Sequence, residues 1–187
     1  MADNGSFFLD TREPFVATPP AAVTLAATAK ALYTTSQFPV LGGQYFARVG
    51  KKINIHLWGI ITTGLTPGNG SFNVYYGSGA DATGVLLMTG TPVALSASQT
   101  NVAWSADIDV ECLTIGNAGT LRVTGEAHFG VGVIASTLQP IMLPSTVGGA
   151  SGACDLTAAN IISVQYLRSG STAETMQVIS MRVTALN

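Results

Sequence analysis

Two alternating runs joined by a glycine-bounded turn constrain this chain more than any other feature of its sequence. From Val102 to Cys112 every second residue is apolar, and from Trp104 onward these residues are separated by Ser105, Asp107, Asp109 and Glu111. A second run, from Leu121 to Val133, follows the same pattern after residues 116–119, Gly-Asn-Ala-Gly. Such alternation is typical of strands with one buried face, and glycine and asparagine tolerate the positive φ angles of a tight reversal. Residues 102–133 are therefore predicted to form a β-hairpin.

Short runs with β-type patterns recur along most of the remaining chain, with glycine or proline in nearly every gap. The predicted strands outside the hairpin are residues 21–34, 44–49, 52–63, 71–76, 85–89, 92–96, 161–168 and 174–186, and residues 140–159 are predicted to be a long loop. Eight to ten evenly spaced strands without a convincing helix indicate an all-β, antiparallel, jelly-roll-like sandwich spanning residues 21–187.

Residues 1–20 have neither helical nor strand periodicity and are predicted to be an extended N-terminal arm. Three aromatic residues, Phe7, Phe8 and Phe15, lie there beside Arg12 and Glu13, with several prolines. Aromatic side chains without a local core need a surface to cover them. Either a partner protein or the chain's own sandwich satisfies that requirement, and the sequence leaves both alternatives open.

Low charge sets the expected surface chemistry. Charged residues make up 10% of the 187 residues, with 8 basic and 10 acidic side chains, whereas globular proteins carry about 25%. A surface with so little charge is typical of a subunit that lies against others. No basic cluster or apolar run of transmembrane length is present, which argues against nucleic-acid and membrane partners.

Alternation in residues 52–63 also predicts an exposed apolar patch. If residues 52–63 and 71–76 form a hairpin, Trp58, Ile60 and Tyr75 share the face that points away from the core, together with His56. Exposed apolar clusters often mark interfaces. We therefore predict His56, Trp58, Ile60 and Tyr75 as an oligomer interface, with burial of both faces as the alternative.

The sequence contains no recognisable catalytic motif. Two histidines, His56 and His128, lie on polar strand faces, and no GxSxG, HExxH, P-loop or CxxC pattern occurs. Asp107, Asp109 and Glu111 project from one strand face, but Ca²⁺ normally requires oxygen ligands from several directions, and Arg122 or His128 could neutralise these acids across the hairpin. We expect no enzymatic activity, no metal and no cofactor.

Cys112 and Cys154 are expected to remain free thiols. Cys112 falls on the apolar face of its strand, where a thiol packs as a small hydrophobic group. The first residues show neither the basic nor the apolar region of a signal peptide, so we expect synthesis in a reducing cytoplasm.

Several segments together resemble virion proteins of tailed phages, of the head decoration or cement type. The resemblance is carried by residues 50–64 (GKKINIHLWGIITTG), 66–70 (TPGNG), 74–77 (VYYG), 101–104 and 116–121, and it spans residues 43–130. It implies a β-sandwich that coats the virion, most often on the head and sometimes in the tail.

The predicted function combines this resemblance with the residue patterns. We expect a structural protein made in the host cytoplasm and located on the capsid exterior, where it bridges neighbouring major capsid protein subunits. Self-association as a homotrimer is expected, with the arm residues Phe7, Phe8, Arg12, Glu13 and Phe15 contacting the capsid. The alternative is a tail-fibre or receptor-binding sandwich that recognises a host glycan.

Overall fold

The protein is an all-β sandwich of two antiparallel sheets. The computed structural model describes residues 11–12, 19–34, 36–38, 40–43, 45–134, 140–144, 151–170 and 173–186. Within these residues there are twelve strands and no helix: β1 Thr11–Arg12, β2 Val23–Thr24, β3 Lys30–Ala31, β4 Lys52–Thr62, β5 Asn69–Gly77, β6 Val85–Thr89, β7 Val93–Ala94, β8 Val102–Thr114, β9 Thr120–Phe129, β10 Ile141–Leu143, β11 Ile161–Arg168 and β12 Thr175–Leu186. The predicted count of eight to ten strands was too low, because five of the twelve strands are only two or three residues long.

Sheet A has the order β1-β12-β4-β8-β9-β10, with β2 also paired to β12. Sheet B has the order β3-β11-β5-β6, with β7 also paired to β5. The pairs β4–β12 and β5–β11 are nested in sequence and lie in different sheets. This nesting winds the chain over both sheets, which is the jelly-roll-like part of the architecture.

The predicted hairpin forms between β8 and β9, but it ends earlier than residue 133. β9 ends at Phe129, and Val131, which the alternation placed on the buried face, is exposed. Trp104 pairs with Phe129 and Cys112 with Leu121, and Gly116 adopts a φ of 100° in the turn. Residues at alternating positions of β8 are buried, as the period-two pattern requires. A side chain at Gly116 would be strained by that backbone angle.

The predicted hairpin between residues 52–63 and 71–76 is wrong. β4 pairs with β12 and β8 in sheet A, whereas β5 pairs with β11, β6 and β7 in sheet B. The intervening residues therefore carry the chain from one sheet to the other. Both strands nevertheless bury the predicted faces, because each sheet turns one face toward the shared core.

Three other predicted elements differ from the structure. Residues 21–34 do not form one strand, because β2 pairs with sheet A and β3 with sheet B, so the segment crosses between the sheets. The described part of residues 44–49 forms turns. The long loop of residues 140–159 includes β10, which pairs with β9.

Aromatic residues fill the space beside glycines in the core of both sheets. In sheet A, a Cβ at Gly59 would lie 2.7 Å from the Trp104 ring, so the indole occupies the place of the missing side chain. In sheet B, the Tyr166 ring covers Gly70 in the same way. Larger residues at these glycines would displace a buried aromatic ring.

One buried ion pair lies close to the point where the chain passes from sheet B to sheet A. Arg168 Nε, at the end of β11, lies 2.7 Å from Glu174 Oε2, just before β12. The Glu174 side chain is fully buried. Arg168 Nε also donates to Leu25 O, so the pair fastens three segments together.

Cys112 and Cys154 are both free and buried. Burial raises the pKa of each thiol, which favours the neutral form and makes both weak nucleophiles. The prediction that Cys112 packs as a core residue is confirmed.

Candidate functional site

The outer face of sheet A carries a dense set of charged and polar side chains, and we call it the ionic face. Its side chains form rows across β12, β4, β8 and β9: Arg182, His56, Asp107 and Glu126 in one row, Thr184, Asn54, Asp109 and Thr124 in the next, and Leu186, Lys52, Glu111 and Arg122 in a third. The rows arise because directly paired residues of neighbouring strands point to the same face.

Short polar contacts join the side chains within these rows. His56 Nδ1 lies 2.9 Å from Asp107 Oδ2, and Asn54 Nδ2 donates to Asp107 Oδ1 at 2.6 Å and to Asp109 Oδ1 at 2.8 Å. Arg122 donates to Glu111 across the hairpin, as the sequence allowed. Each of these three acids therefore already has a partner within its own chain, which holds its side chain in a defined position.

At one end of the ionic face lies an apolar cluster of Trp58, Ile60 and Ile179. Trp58 is 38% exposed and Ile179 is 42% exposed. The Trp58 ring stacks on His56 with centroids 3.7 Å apart, and the Arg182 guanidinium lies 5.7 Å from its centroid. The contacts with His56 and Arg182 therefore restrict the orientation of the Trp58 indole on the ionic face.

Ile179 joins this cluster because of a β-bulge that the sequence analysis missed. The register between β12 and β4 shifts between Val178, paired with Gly59, and Ser180, paired with Trp58. Val178 and Met181 are buried while the two residues between them are not. A bulge sets two residues opposite one, so Ile179 and Ser180 both point outward. The signal was the two-residue gap between Val178 and Met181 in an otherwise alternating run.

The structure brings together three of the four predicted interface residues. His56, Trp58 and Ile60 lie on the ionic face, but Tyr75 is on β5 and points outward from sheet B on the opposite side of the sandwich. The grouping of Tyr75 with Trp58 was wrong because it depended on a β4–β5 hairpin that does not form.

A shallow pocket of about 290 Å³ lies beside Trp58 on the ionic face. It is lined by Trp58, Ala103, Trp104, Ser105, His128, Phe129 and Gly130. Ser105 pairs with Trp58 on one side and with His128 on the other. Because the Ser105 side chain is short, Ser105 forms the bottom of the pocket, and the larger side chains of Trp58 and His128 form its two sides.

The polar groups of the pocket can bind a ligand more readily than they can activate a nucleophile. His128 Nε2 lies 3.2 Å from Glu126 Oε1, but within the described residues no hydrogen bond joins Ser105 to His128, and nucleophilic catalysis requires that contact. The part of the chain that the structure describes also contains no group of three or more His, Cys, Asp or Glu side chains arranged to hold a metal ion.

The outer face of sheet B differs, and we call it the neutral face. The strands of sheet B contribute Ser71, Asn73, Tyr75, Leu86, Ser163 and Gln165 to it. Several of these polar groups are buried. Gln165 accepts a hydrogen bond from Ala82 N at 2.7 Å and donates to Ala80 O at 3.0 Å, so the β5–β6 connection folds over this face.

The predicted capsid-contacting arm falls almost wholly outside the described residues. Phe7, Phe8, Glu13 and Phe15 are not described, and for Arg12 the structure gives the backbone alone. Thr11 and Arg12 form β1, which pairs with Thr184 and Val183 at the edge of sheet A. This part of the arm is therefore attached to its own sandwich.

Within the described residues, no helix is long and apolar enough to cross a membrane. No protein-family model, curated protein or solved structure matches the chain.

Proposed function

We propose that the protein is a structural virion protein that decorates and stabilises a phage capsid. The observation that carries the proposal is the division of the sandwich surface. One face is ionic with an exposed apolar cluster, and to the other the described strands β5, β6 and β11 contribute neutral side chains. Such a surface suits a subunit that has neighbours on more than one side. The resemblance of residues 43–130 to head decoration proteins supports the same function.

Self-association is assigned to the ionic face in this proposal. Trp58, Ile60 and Ile179 supply an apolar centre, and the rows containing Arg182 and Asp107 supply a polar rim, which is the usual anatomy of a protein interface. The homotrimer expected from the sequence remains a proposal for the assembly on the capsid. Bridging adjacent major capsid protein subunits would add buried area that must be exposed before the shell opens.

Attachment to the capsid is assigned to the first ten residues. β1 pairs Thr11 and Arg12 with β12 at the edge of sheet A, and the segment proposed to bind the capsid, with Phe7 and Phe8, precedes this strand in the sequence. A fully buried phenylalanine contributes about 2 to 3 kcal/mol. Burial of Phe7 and Phe8 would therefore contribute about 4 to 6 kcal/mol to the attachment of each subunit.

Deletion of residues 1–10 tests this proposal. The truncated protein retains β1 and the core of both sheets, so we expect its thermal unfolding to match that of the full chain. We expect it to lose binding to capsids that lack the protein. As a matched control, Phe7→Tyr and Phe8→Tyr retain the aromatic rings and should retain most of the binding. Unchanged binding by the truncated chain would contradict the assignment of attachment to the first ten residues.

The shallow pocket favours one second function, recognition of a neutral sugar by a tail-fibre or receptor-binding module. An indole wall beside Ser105 and His128 offers both an apolar surface and hydrogen-bonding groups, the combination that small-molecule sites use. Titration with methyl glycosides, followed by the fluorescence of Trp58 and Trp104, which both line the pocket, distinguishes the two functions. A saturable change at millimolar sugar or below would favour the glycan-binding module.

A further inference from the structure

The charges of the ionic face are arranged as two opposite halves. On the β12 and β4 side lie Arg182, His56 and Lys52. On the β8 and β9 side acidic side chains predominate: Asp107, Asp109, Glu111 and Glu126 lie there, together with Arg122 and His128. The boundary between the halves runs between β4 and β8. When the two halves of a face carry opposite charge, a second copy rotated by 180° sets its acidic half against the basic half of the first.

We propose that two copies of the chain associate through their ionic faces about a twofold axis that runs parallel to the strands, over the boundary between β4 and β8. Such an axis places β12 opposite β9 of the second copy and β4 opposite β8 of the second copy. Each residue stays at its own level along the strands. A twofold contact uses the same patch on both subunits, as most homodimers do.

Under this symmetry most facing pairs of the ionic face are complementary, and Leu186, which would face Arg122 of the second copy, is the exception. Arg182 faces Glu126 of the second copy, and His56 faces Asp107 of the second copy. In the other rows Lys52 faces Glu111, Asn54 faces Asp109, and Ile60 faces Ala103. Each of these contacts occurs twice in the dimer. A single substitution that places like charges opposite each other therefore introduces two repulsive contacts.

The same operation supplies an occupant for the shallow pocket. Trp58 is paired with Ser105 in its own sheet, so the axis sets Trp58 of the second copy above Ser105, between Trp58 and His128. A pocket of about 290 Å³ accommodates one aromatic ring. Two indole rings would enter two pockets, and buried aromatic anchors of this kind dominate interface energetics.

The area of the ionic face is sufficient for a stable dimer. Four strands at about 4.8 Å spacing and eleven residues at about 3.3 Å rise cover roughly 700 Å² per copy, or roughly 1,400 Å² in total. Specific interfaces bury about 1,200 to 2,000 Å². Sheets packed face to face keep their strands within about 30° of one another, which an axis parallel to the strands satisfies.

This inference deepens the self-association in the proposed function and rests on that part alone. A capsid-binding assay tests whether the arm attaches the protein to the capsid. Association of the isolated full-length chain tests whether the ionic face forms the dimer. One of these two proposals can therefore be disproved while the other stands. A twofold contact pairs two copies and occupies the ionic face of both. Within an assembly of trimers it would join neighbouring trimers, and the threefold contacts would use other surfaces of the sandwich.

Charge reversal at two positions tests the geometry. We expect Arg182→Glu alone and Glu126→Arg alone to be monomeric in analytical ultracentrifugation at about 100 μM, where a wild-type interface of this size is associated. An equimolar mixture of the two variants should form dimers, because position 182 then faces the opposite charge at position 126 in both contacts of the mixed dimer. The double variant should form dimers alone for the same reason.

Aromatic variants test the pocket independently. Trp58→Ala should weaken the dimer at least about 30-fold, as expected for a hot-spot residue, and Ser105→Trp should block association by filling the pocket. The matched control is Tyr75→Ala, an aromatic truncation on the neutral face, which should leave association unchanged. Circular dichroism of each variant establishes that the sandwich is folded.

Three results would overturn the proposal. The first is a wild-type chain that remains monomeric at about 100 μM, where interfaces of this area normally associate. The second is an oligomer that the single charge reversals or Trp58→Ala leave intact. The third is loss of association in the single variants without recovery in their mixture, because recovery follows directly from the twofold pairing of positions 182 and 126.

Discussion

The two outer faces of the sandwich are formed by strands with the same alternation, yet they differ in the solvent exposure of their polar side chains. On the ionic face the polar side chains are partly exposed, and Asp107 retains 43% of its side-chain accessibility. On the neutral face Gln165 is fully buried and Ser163 nearly so. Alternation therefore predicts which residues point away from the core, but it does not predict what covers them.

The difference has an energetic consequence. Partly exposed ion pairs contribute little to stability because water screens them and their side chains lose entropy. Buried polar groups contribute through the penalty that follows when a partner is removed. We therefore expect variants of the ionic face to affect association, and variants of the buried polar groups in sheet B to affect folding.

The largest effect on folding is expected for the buried pair at the end of β11. Arg168→Met leaves the buried Glu174 carboxylate without its guanidinium partner and should lower the free energy of unfolding by about 3 to 5 kcal/mol. Arg122→Met is the matched control, because Arg122 pairs with Glu111 on the ionic face at 41% side-chain exposure. It should cost less than about 1 kcal/mol. Urea denaturation measures both, and equal effects would contradict the distinction between buried and partly exposed ion pairs.

A smaller effect is expected for the glutamine that fastens the β5–β6 connection. Gln165→Ala leaves Ala82 N without its side-chain acceptor, whereas Ala80 O still accepts from Thr83. The substitution should cost about 1 to 3 kcal/mol. Gln177→Ala removes a partly exposed glutamine of sheet A that donates to Pro20 O, and should cost about 1 kcal/mol. If Gln177→Ala proves the more destabilising in thermal unfolding, the neutral face is not the one that depends on buried polar contacts.

The smallest effect is expected at Asp81 in the β5–β6 connection. Its carboxylate accepts hydrogen bonds from Lys30 Nζ and Ala31 N, each at 2.8 Å. Burial by itself raises the pKa of Asp81, but these hydrogen bonds and the Lys30 charge outweigh burial and lower it below its ordinary value of 3.8.

A lowered folded-state pKa contributes stability that is present above 3.8 and is lost as the pH falls through the folded value. Asp81→Asn should therefore cost less than about 1 kcal/mol at neutral pH. The difference from wild type should shrink in acid. Urea denaturation near neutral pH and again well below the ordinary pKa checks this, and a difference that grows on acidification would contradict the assignment.

The local sequence pattern predicts where most of the longer strands lie. It does not predict which strands that are distant in the sequence pair with each other. The bounds of β6 and β11 were predicted without error, and β8–β9 was correct because its turn is short and rich in glycine. The connection between β4 and β5 suits a hairpin and a sheet crossing equally well. Which one forms depends on whether β12 or β5 covers the edge of β4, and that choice is not local.

The candidate site was predicted in part for the same reason. His56, Trp58 and Ile60 were identified because alternation places them outward on a single strand. Tyr75 was grouped with them through the wrong strand pairing. Ile179 and Arg182 were missed because they lie more than 100 residues away in the chain, and their position beside Trp58 depends on the β4–β12 register and on a bulge.

Hydroxyl-radical footprinting with mass spectrometry, at protein concentrations below and above the association midpoint, tests the central difference between the two faces most directly. Trp58 and Tyr75 are both readily oxidised aromatic residues, and they report on the ionic face and the neutral face in a single sample. We expect oxidation of Trp58 to fall as the protein associates, while oxidation of Tyr75 stays the same. Protection of Tyr75 with unchanged oxidation of Trp58 would contradict the assignment of self-association to the ionic face.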